Sequence, residues 1–144
     1  MASTGSTLMN AFPKAILGSR FHSMMSGKYL LLGFTGRKSG AAYTFPVGYV
    51  RDGGATYIST DSKWWRNIAN GETATLTIGK DRVTGRSRRL TDTEQAVAAL
   101  RKLSELGGYA KAAGLPVVDG VVPESALRDA LSGDRVVLAI ESVG

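Results

Sequence analysis

Between Lys28 and Leu90 apolar residues come in short runs and alternations, and on either side of that span they recur at spacings of three and four. The period separates two kinds of element. "KYLLLGF" reads as a buried strand. "YTFPVGYVRDGGATYIST" reads as two strands turning at Asp52-Gly53-Gly54, and "TATLTIGKDRVTGRSRRL" as a second hairpin turning at Gly79-Lys80-Asp81. Pro46 inside a strand predicts an edge or a bulge, and Gly33, Gly48 and Gly85 predict bends where a small barrel turns its corners. "TDTE" predicts a capping box, with Thr91 as N-cap and Glu94 at the third helical position. A helix carrying Val97, Leu100, Leu103 and Leu106 then runs to Gly107. "PESALRDALSG" predicts a shorter helix with Pro123 near its start and Gly133 past its end, and "DRVVLAIE" a last strand.

Upstream of the strands, Leu8, Phe12, Ile16, Leu17, Phe21, Met24 and Met25 form one apolar stripe, the pattern of an amphipathic helix with Pro13 near its first turn. Lys14, Arg20 and Lys28 border it. Packing on the body of the domain is the favoured account; contact with a membrane surface is the alternative. The order is helix, five strands, helices, strand, with no internal repeat and no long linker. It predicts an α+β fold: a mostly antiparallel six-stranded β-barrel with an N-terminal helix and outer helices, in a single domain over residues 1–144. Residues 1–27 form the helical segment and residues 28–144 the barrel with its helices. The expected core contains Leu32, Val47, Ile58, Leu76, Val83, Leu100 and Ile140.

Composition narrows the chemistry. The 144 residues are 43% hydrophobic and 21% charged, with no cysteine and one histidine, His22. Thiolate metal sites, thiol nucleophiles and the usual Ser-His-Asp machinery are excluded. The formal net charge is +6, so anions are the natural partners: nucleic acid, anionic lipid, or a phosphorylated or carboxylated small molecule. No hydrophobic run resembles a signal peptide or approaches a bilayer span. A cytoplasmic protein is expected, with peripheral membrane contact left open.

Two stretches carry candidate chemistry. "GRKSG", Gly36 to Gly40, follows the first strand. A turn bracketed by glycines exposes backbone N–H groups, and Arg37, Lys38 and Ser39 add donors, which together suit a phosphate. Taken alone, an ordinary solvated turn accounts for it equally well. "KWWRN", Lys63 to Asn67, sits between the third and fourth strands. Its two tryptophans need burial or a flat partner, and one of them is expected to plug the barrel end. A flat aromatic cofactor carrying a phosphate would use both stretches.

Gly36-Arg37-Lys38-Ser39-Gly40, Pro46 and Tyr49, Asp52-Gly53 and Trp64-x-x-Asn67 together resemble the deazaflavin-dependent nitroreductase family. That family is an actinobacterial, notably mycobacterial, branch of the split β-barrel (FMN-binding-like) oxidoreductases. The resemblance implies binding of the 8-hydroxy-5-deazaflavin coenzyme F-420 and hydride transfer to a quinone, enone or nitroaromatic acceptor, with the cofactor supplying the reactivity. It implies phosphate contacts at Arg37, Lys38 and Ser39. Cofactor-ring contacts are implied along the strand of Pro46 and the loop of Ser59, Thr60, Ser62 and Lys63. Trp64 and Asn67 are placed at the ring end, with Tyr49 a further candidate for ring or substrate contact. Many members carry a longer Gly-rich loop with a proline before the tryptophan; here Thr60-Asp61-Ser62 leads directly into Lys63-Trp64-Trp65.

FMN also brings a phosphate and a flat ring, so an FMN-dependent reductase of the same fold is the alternative. A non-enzymatic binder of lipid or nucleic acid is the third class. Nucleic acid is disfavoured because the two tryptophans sit together instead of spreading along a groove. No metal site is expected, and monomer and homodimer are both compatible with the sequence.

Overall fold

The computed structural model describes residues 29–142. The expected N-terminal helix, with His22, lies outside the described residues. Seven strands follow in the order β1 (Tyr29–Thr35), β2 (Ala42–Gly48), β3 (Val50–Asp52), β4 (Ala55–Thr60), β5 (Asn70–Ile78), β6 (Asp81–Arg89) and β7 (Val136–Ser142). A 3-10 segment, Lys63–Ile68, links β4 to β5. Helices α1 (Thr93–Ser104), α2 (Tyr109–Ala112) and α3 (Glu124–Ser132) separate β6 from β7.

The strands form one antiparallel sheet in the order β2-β1-β5-β6-β7-β4-β3. β2 and β3 occupy opposite ends of that order, yet only Tyr49 separates them along the chain. The sheet must therefore curl until its two edges approach each other at Tyr49, giving a barrel split along one seam. This corner also explains why seven strands are found where the pattern predicts six: the run through Gly48-Tyr49-Val50 breaks as it passes from one edge of the sheet to the other. A Cβ on Gly48 would stand 3.0 Å from the Tyr109 ring, so glycine is what lets α2 close on the corner. Pro46 lies on β2, an edge of the sheet, where a missing N–H costs little.

Two apolar clusters share this sheet. The barrel interior holds Leu30, Leu32, Phe34, Phe45, Tyr49, Ile58, Leu76, Leu138 and Ile140. The helices bury a second cluster, with Leu100, Leu103 and Leu127 against Val137 and Ala139. β7 faces both, which is why its apolar run is continuous and buried from Val136 to Ile140. Of the expected core, Leu32, Ile58, Leu76, Leu100 and Ile140 are buried. Val47 and Val83 are only half-buried, because Val47 lies on an edge strand and Val83 close to the β5–β6 turn.

The cap of α1 also departs from expectation. Leu90 donates its backbone N–H to the Val137 carbonyl at 2.9 Å, which holds the chain extended past Arg89. The helix starts at Thr93 with Asp92, not Thr91, as N-cap; the Asp92 carboxylate accepts from the Gln95 N–H at 3.0 Å. Glu94 turns outward to Arg128 at 2.9 Å, which holds its carboxyl below the usual range. The helix ends at Ser104, short of Gly107, and α2 was not expected. α3 matches its prediction, bracketed by Pro123 and Gly133.

Candidate functional site

The β1–β2 connection and the 3-10 segment meet at one end of the barrel, thirty residues apart in sequence. The Arg37 backbone N–H donates to Asn67 Oδ1 at 2.9 Å, and Asn67 Nδ2 donates to the Trp64 carbonyl at 2.9 Å. Asn67 is thus a clamp: its acceptor holds the turn and its donor holds the segment. Replacing Asn67 with alanine removes both bonds and should cost about 1–3 kcal/mol, summing two ordinary hydrogen bonds, while loosening the turn. A melting temperature equal to wild type would show that the clamp contributes nothing.

The turn itself is built from inside. Gly36 donates to the Ala41 carbonyl at 2.8 Å and Gly40 to the Gly36 carbonyl at 2.9 Å, and Ser39 Oγ accepts from the Ala41 N–H at 3.1 Å. The two glycines serve different ends. A Cβ on Gly36 would meet Ser39 Oγ at 2.7 Å and the Tyr43 ring at 2.9 Å, whereas Gly40 has φ +71° with open space around it. Three of the turn's amides, those of Gly36, Gly40 and Ala41, are therefore satisfied internally, and that of Arg37 by Asn67. Those of Lys38 and Ser39 have no partner among the described residues.

Arg37, Lys38, Ser39, Lys63 and Asn67 all line one cavity of about 390 Å³, and Arg66 and Tyr43 complete it. Among the described residues four cations face it and no carboxylate does. A second cavity of about 490 Å³ continues from it across the outer face of β1, sharing Gly36, Arg37, Tyr43 and Asn67. The donor set fits a phosphate: two free amides, a hydroxyl, and cations that repel one another until an anion is present.

The remaining expected residues are distributed elsewhere. Trp64 closes the barrel end, stacked on Phe34 at 5.6 Å and edge-on to Phe45 at 5.0 Å, with Tyr43 stacked on the other side of the cluster at 5.3 Å from Phe34. Trp65 lies beneath Arg89 at 4.9 Å and Arg66 at 5.6 Å. Tyr49 is buried in the barrel core at the corner. Pro46 is on β2 beyond Thr44, opposite Leu31. Ser59 accepts from the buried Arg135 guanidinium at 2.9 Å and lies beside the Tyr109 phenol, which burial pushes up in pKa. Thr60 Oγ1 accepts from the exposed Ser62 N–H at 3.0 Å. Ser59, Thr60, Ser62 and Pro46 line neither cavity. The pattern did not single out Tyr43 or Arg89; in sequence each looks like an ordinary strand residue.

An open, curled antiparallel sheet with outer helices and an acid-free cationic pocket at one barrel end defines a split-barrel oxidoreductase of the flavin and deazaflavin class. The family model described as F420H(2)-dependent quinone reductase matches residues 9–117, and the chain belongs to that family. It is a deazaflavin-dependent oxidoreductase that uses coenzyme F-420 and a small-molecule electron acceptor. No curated protein matches the chain. Solved structures show the same fold at low identity. An F420 reductase is 16% identical with a TM-score of 0.52, covering 83% of this chain and 90% of its own. An F420-H2-dependent reductase (FDR-A) is 18% identical with a TM-score of 0.53, covering 79% and 94%. The haem storage protein HutZ of Vibrio cholerae is 11% identical with a TM-score of 0.58, covering 87% of each.

Proposed function

We propose that this reductase delivers hydride to a quinone, an enone or a nitroaromatic compound, with the cofactor phosphate held by Arg37, Lys38, Ser39 and Lys63. The observation that carries the site is the convergence of Arg37, Lys38, Lys63 and Arg66 on one cavity without a facing acid among the described residues. When bound, the reduced deazaflavin supplies the hydride. Arg37 can grip two phosphate oxygens, Lys38 and Lys63 add point charges, and the Lys38 and Ser39 amides complete the shell. Asn67 keeps the turn in place through its bond to the Arg37 amide. Trp64, with Phe34 and Phe45 behind it, closes the apolar interior of the barrel against water at that end. Family membership favours a quinone as acceptor.

No helix among the described residues is long and apolar enough to cross a membrane. Contact with a membrane surface through residues 1–27, and the single-domain organisation of the whole chain, belong to the same reading.

The test is a titration with F-420, FMN and an oligonucleotide followed by tryptophan fluorescence, then turnover with a quinone, an enone and a nitroaromatic. Saturable binding of F-420 with loss of the reduced cofactor's absorbance on adding a quinone is the expected result. Binding of FMN alone would move the protein to the flavin branch. Binding of the oligonucleotide alone would overturn the enzymatic site.

A further inference from the structure

Arg135 stands just before β7 and is buried. Taking a guanidinium out of water is costly unless a counter-charge is buried with it. Here the partners are mostly neutral: Nη1 donates to Ser59 Oγ at 2.9 Å and Nη2 to the Ala113 carbonyl at 3.4 Å. Among the described residues its one ion-pair partner is Asp61, 3.7 Å away and itself exposed. Exchanging such a group for an apolar one of similar size is often neutral or favourable to a fold, so stability alone gives no reason for it. Arg135 and Asp61 also line neither the cationic pocket nor the cavity beside it, so neither touches a ligand there.

What the partners share is their place in the chain. Ser59 lies near the end of β4, and Asp61 opens the link to the 3-10 segment that carries Lys63, Trp64, Arg66 and Asn67. The far end of that segment is tied to the Gly36–Gly40 turn by Asn67. Its near end has no cap of its own, since Ser62 at the N-cap position makes no side-chain capping bond. One local bond, from the Ser62 N–H to Thr60 Oγ1, shapes the link. Arg135 supplies the remaining polar tie at that end, and it reaches Ser59 across 76 residues.

We propose that Arg135 is a positioning residue for the cationic pocket: by holding Ser59 and Asp61 it fixes the entry of the 3-10 segment, and so sets where Lys63 presents its ammonium. This rests on the phosphate-site reading above. A binding group is held as firmly as the element that supports it, and Arg135 adjoins β7, which is paired on both sides with β4 and β6. Charge alone makes a different forecast. Arg135 adds a positive and Asp61 a negative charge near an anion site, so Coulomb attraction would make Arg135→Met bind an anion less tightly and Asp61→Asn more tightly. Positioning weakens binding in both.

The test measures the affinity of the full-length chain for F-420 and, separately, for inorganic phosphate. The proteins compared are the wild type, Arg135→Met, Arg135→Lys, Asp61→Asn, Lys63→Ala and the double variant Arg135→Met with Lys63→Ala. Arg135→Met should bind F-420 about fivefold less tightly, the scale of one lost hydrogen bond, with Arg135→Lys between it and the wild type. Asp61→Asn should also bind less tightly, with an unchanged melting temperature because its side chain is exposed, and it carries the test should Arg135→Met not fold. In the double variant the loss due to Arg135 should vanish, since it acts through Lys63. Tighter binding by Asp61→Asn would overturn the proposal and leave Arg135 a matter of charge, and additive losses in the double variant would overturn it as well. Failure of the wild type to bind either F-420 or phosphate would instead sink the phosphate-site reading beneath it.

Discussion

Replacing Lys38 with alanine should weaken cofactor binding roughly ten- to a hundredfold while leaving the melting temperature of the cofactor-free protein nearly unchanged. A charge-assisted hydrogen bond contributes about 1.5–3 kcal/mol, and each 1.4 kcal/mol is about tenfold in affinity. Lys38 is exposed and makes no ion pair among the described residues, so the fold loses little with it. The empty protein gains slightly instead, because Arg37, Lys38, Lys63 and Arg66 face the same cavity without a carboxylate. Raising the salt should weaken binding in the wild type, since exposed charges are screened over roughly 10 Å at 0.1 M ionic strength, and should do so less in the variant. Fluorescence titrations of both proteins at low and high salt give the answer. Equal affinities would return the turn to an ordinary solvated loop.

Leu100→Ala should destabilise the protein by about 2–5 kcal/mol, the range for deleting a fully buried leucine side chain. Leu100 has no exposed surface and sits on α1 among Leu103, Leu127 and Val137. It belongs to the helical cluster and not to the barrel interior, so the cavity it leaves lies under the helix that packs on β3, β4 and β7 and not beside the cationic pocket. Affinity for the cofactor in the folded fraction should therefore match the wild type. A denaturation midpoint equal to wild type would show that the helical layer adds little to stability.

The contrast between these two variants shows what each part of the chain was legible for. Leu100 was expected in the core from helical spacing, and Lys38 at a phosphate site from its neighbours in the turn and from a family resemblance. Both are local signals. Thr91 was expected as the cap of α1, but Asp92 fills that role because Leu90 stays hydrogen-bonded to β7. Ser59 and Thr60, expected beside the cofactor, make internal bonds to Arg135 and the Ser62 amide. The partner that occupies Ser59 lies 76 residues away. No local pattern announces such a bond.

What the sequence determined by itself was whatever depends on neighbours a few residues apart. Alternation marked the strands, spacing of three and four marked α1 and α3, and glycines in positive-φ turns marked the hairpins. The absence of cysteine and the excess of cations set the class of chemistry. Tertiary structure alone decided what depends on curvature and register. It split the second predicted strand at Tyr49, brought Asn67 to the Arg37 amide, set Arg89 over Trp65, and gathered Arg37, Lys38, Lys63 and Arg66 on one cavity. The physical reason is that turn and helix preferences are settled by steric and hydrogen-bonding terms within a few residues. Which distant side chains share a cavity is settled only once the sheet has curled and the pairing register has fixed which face each residue occupies.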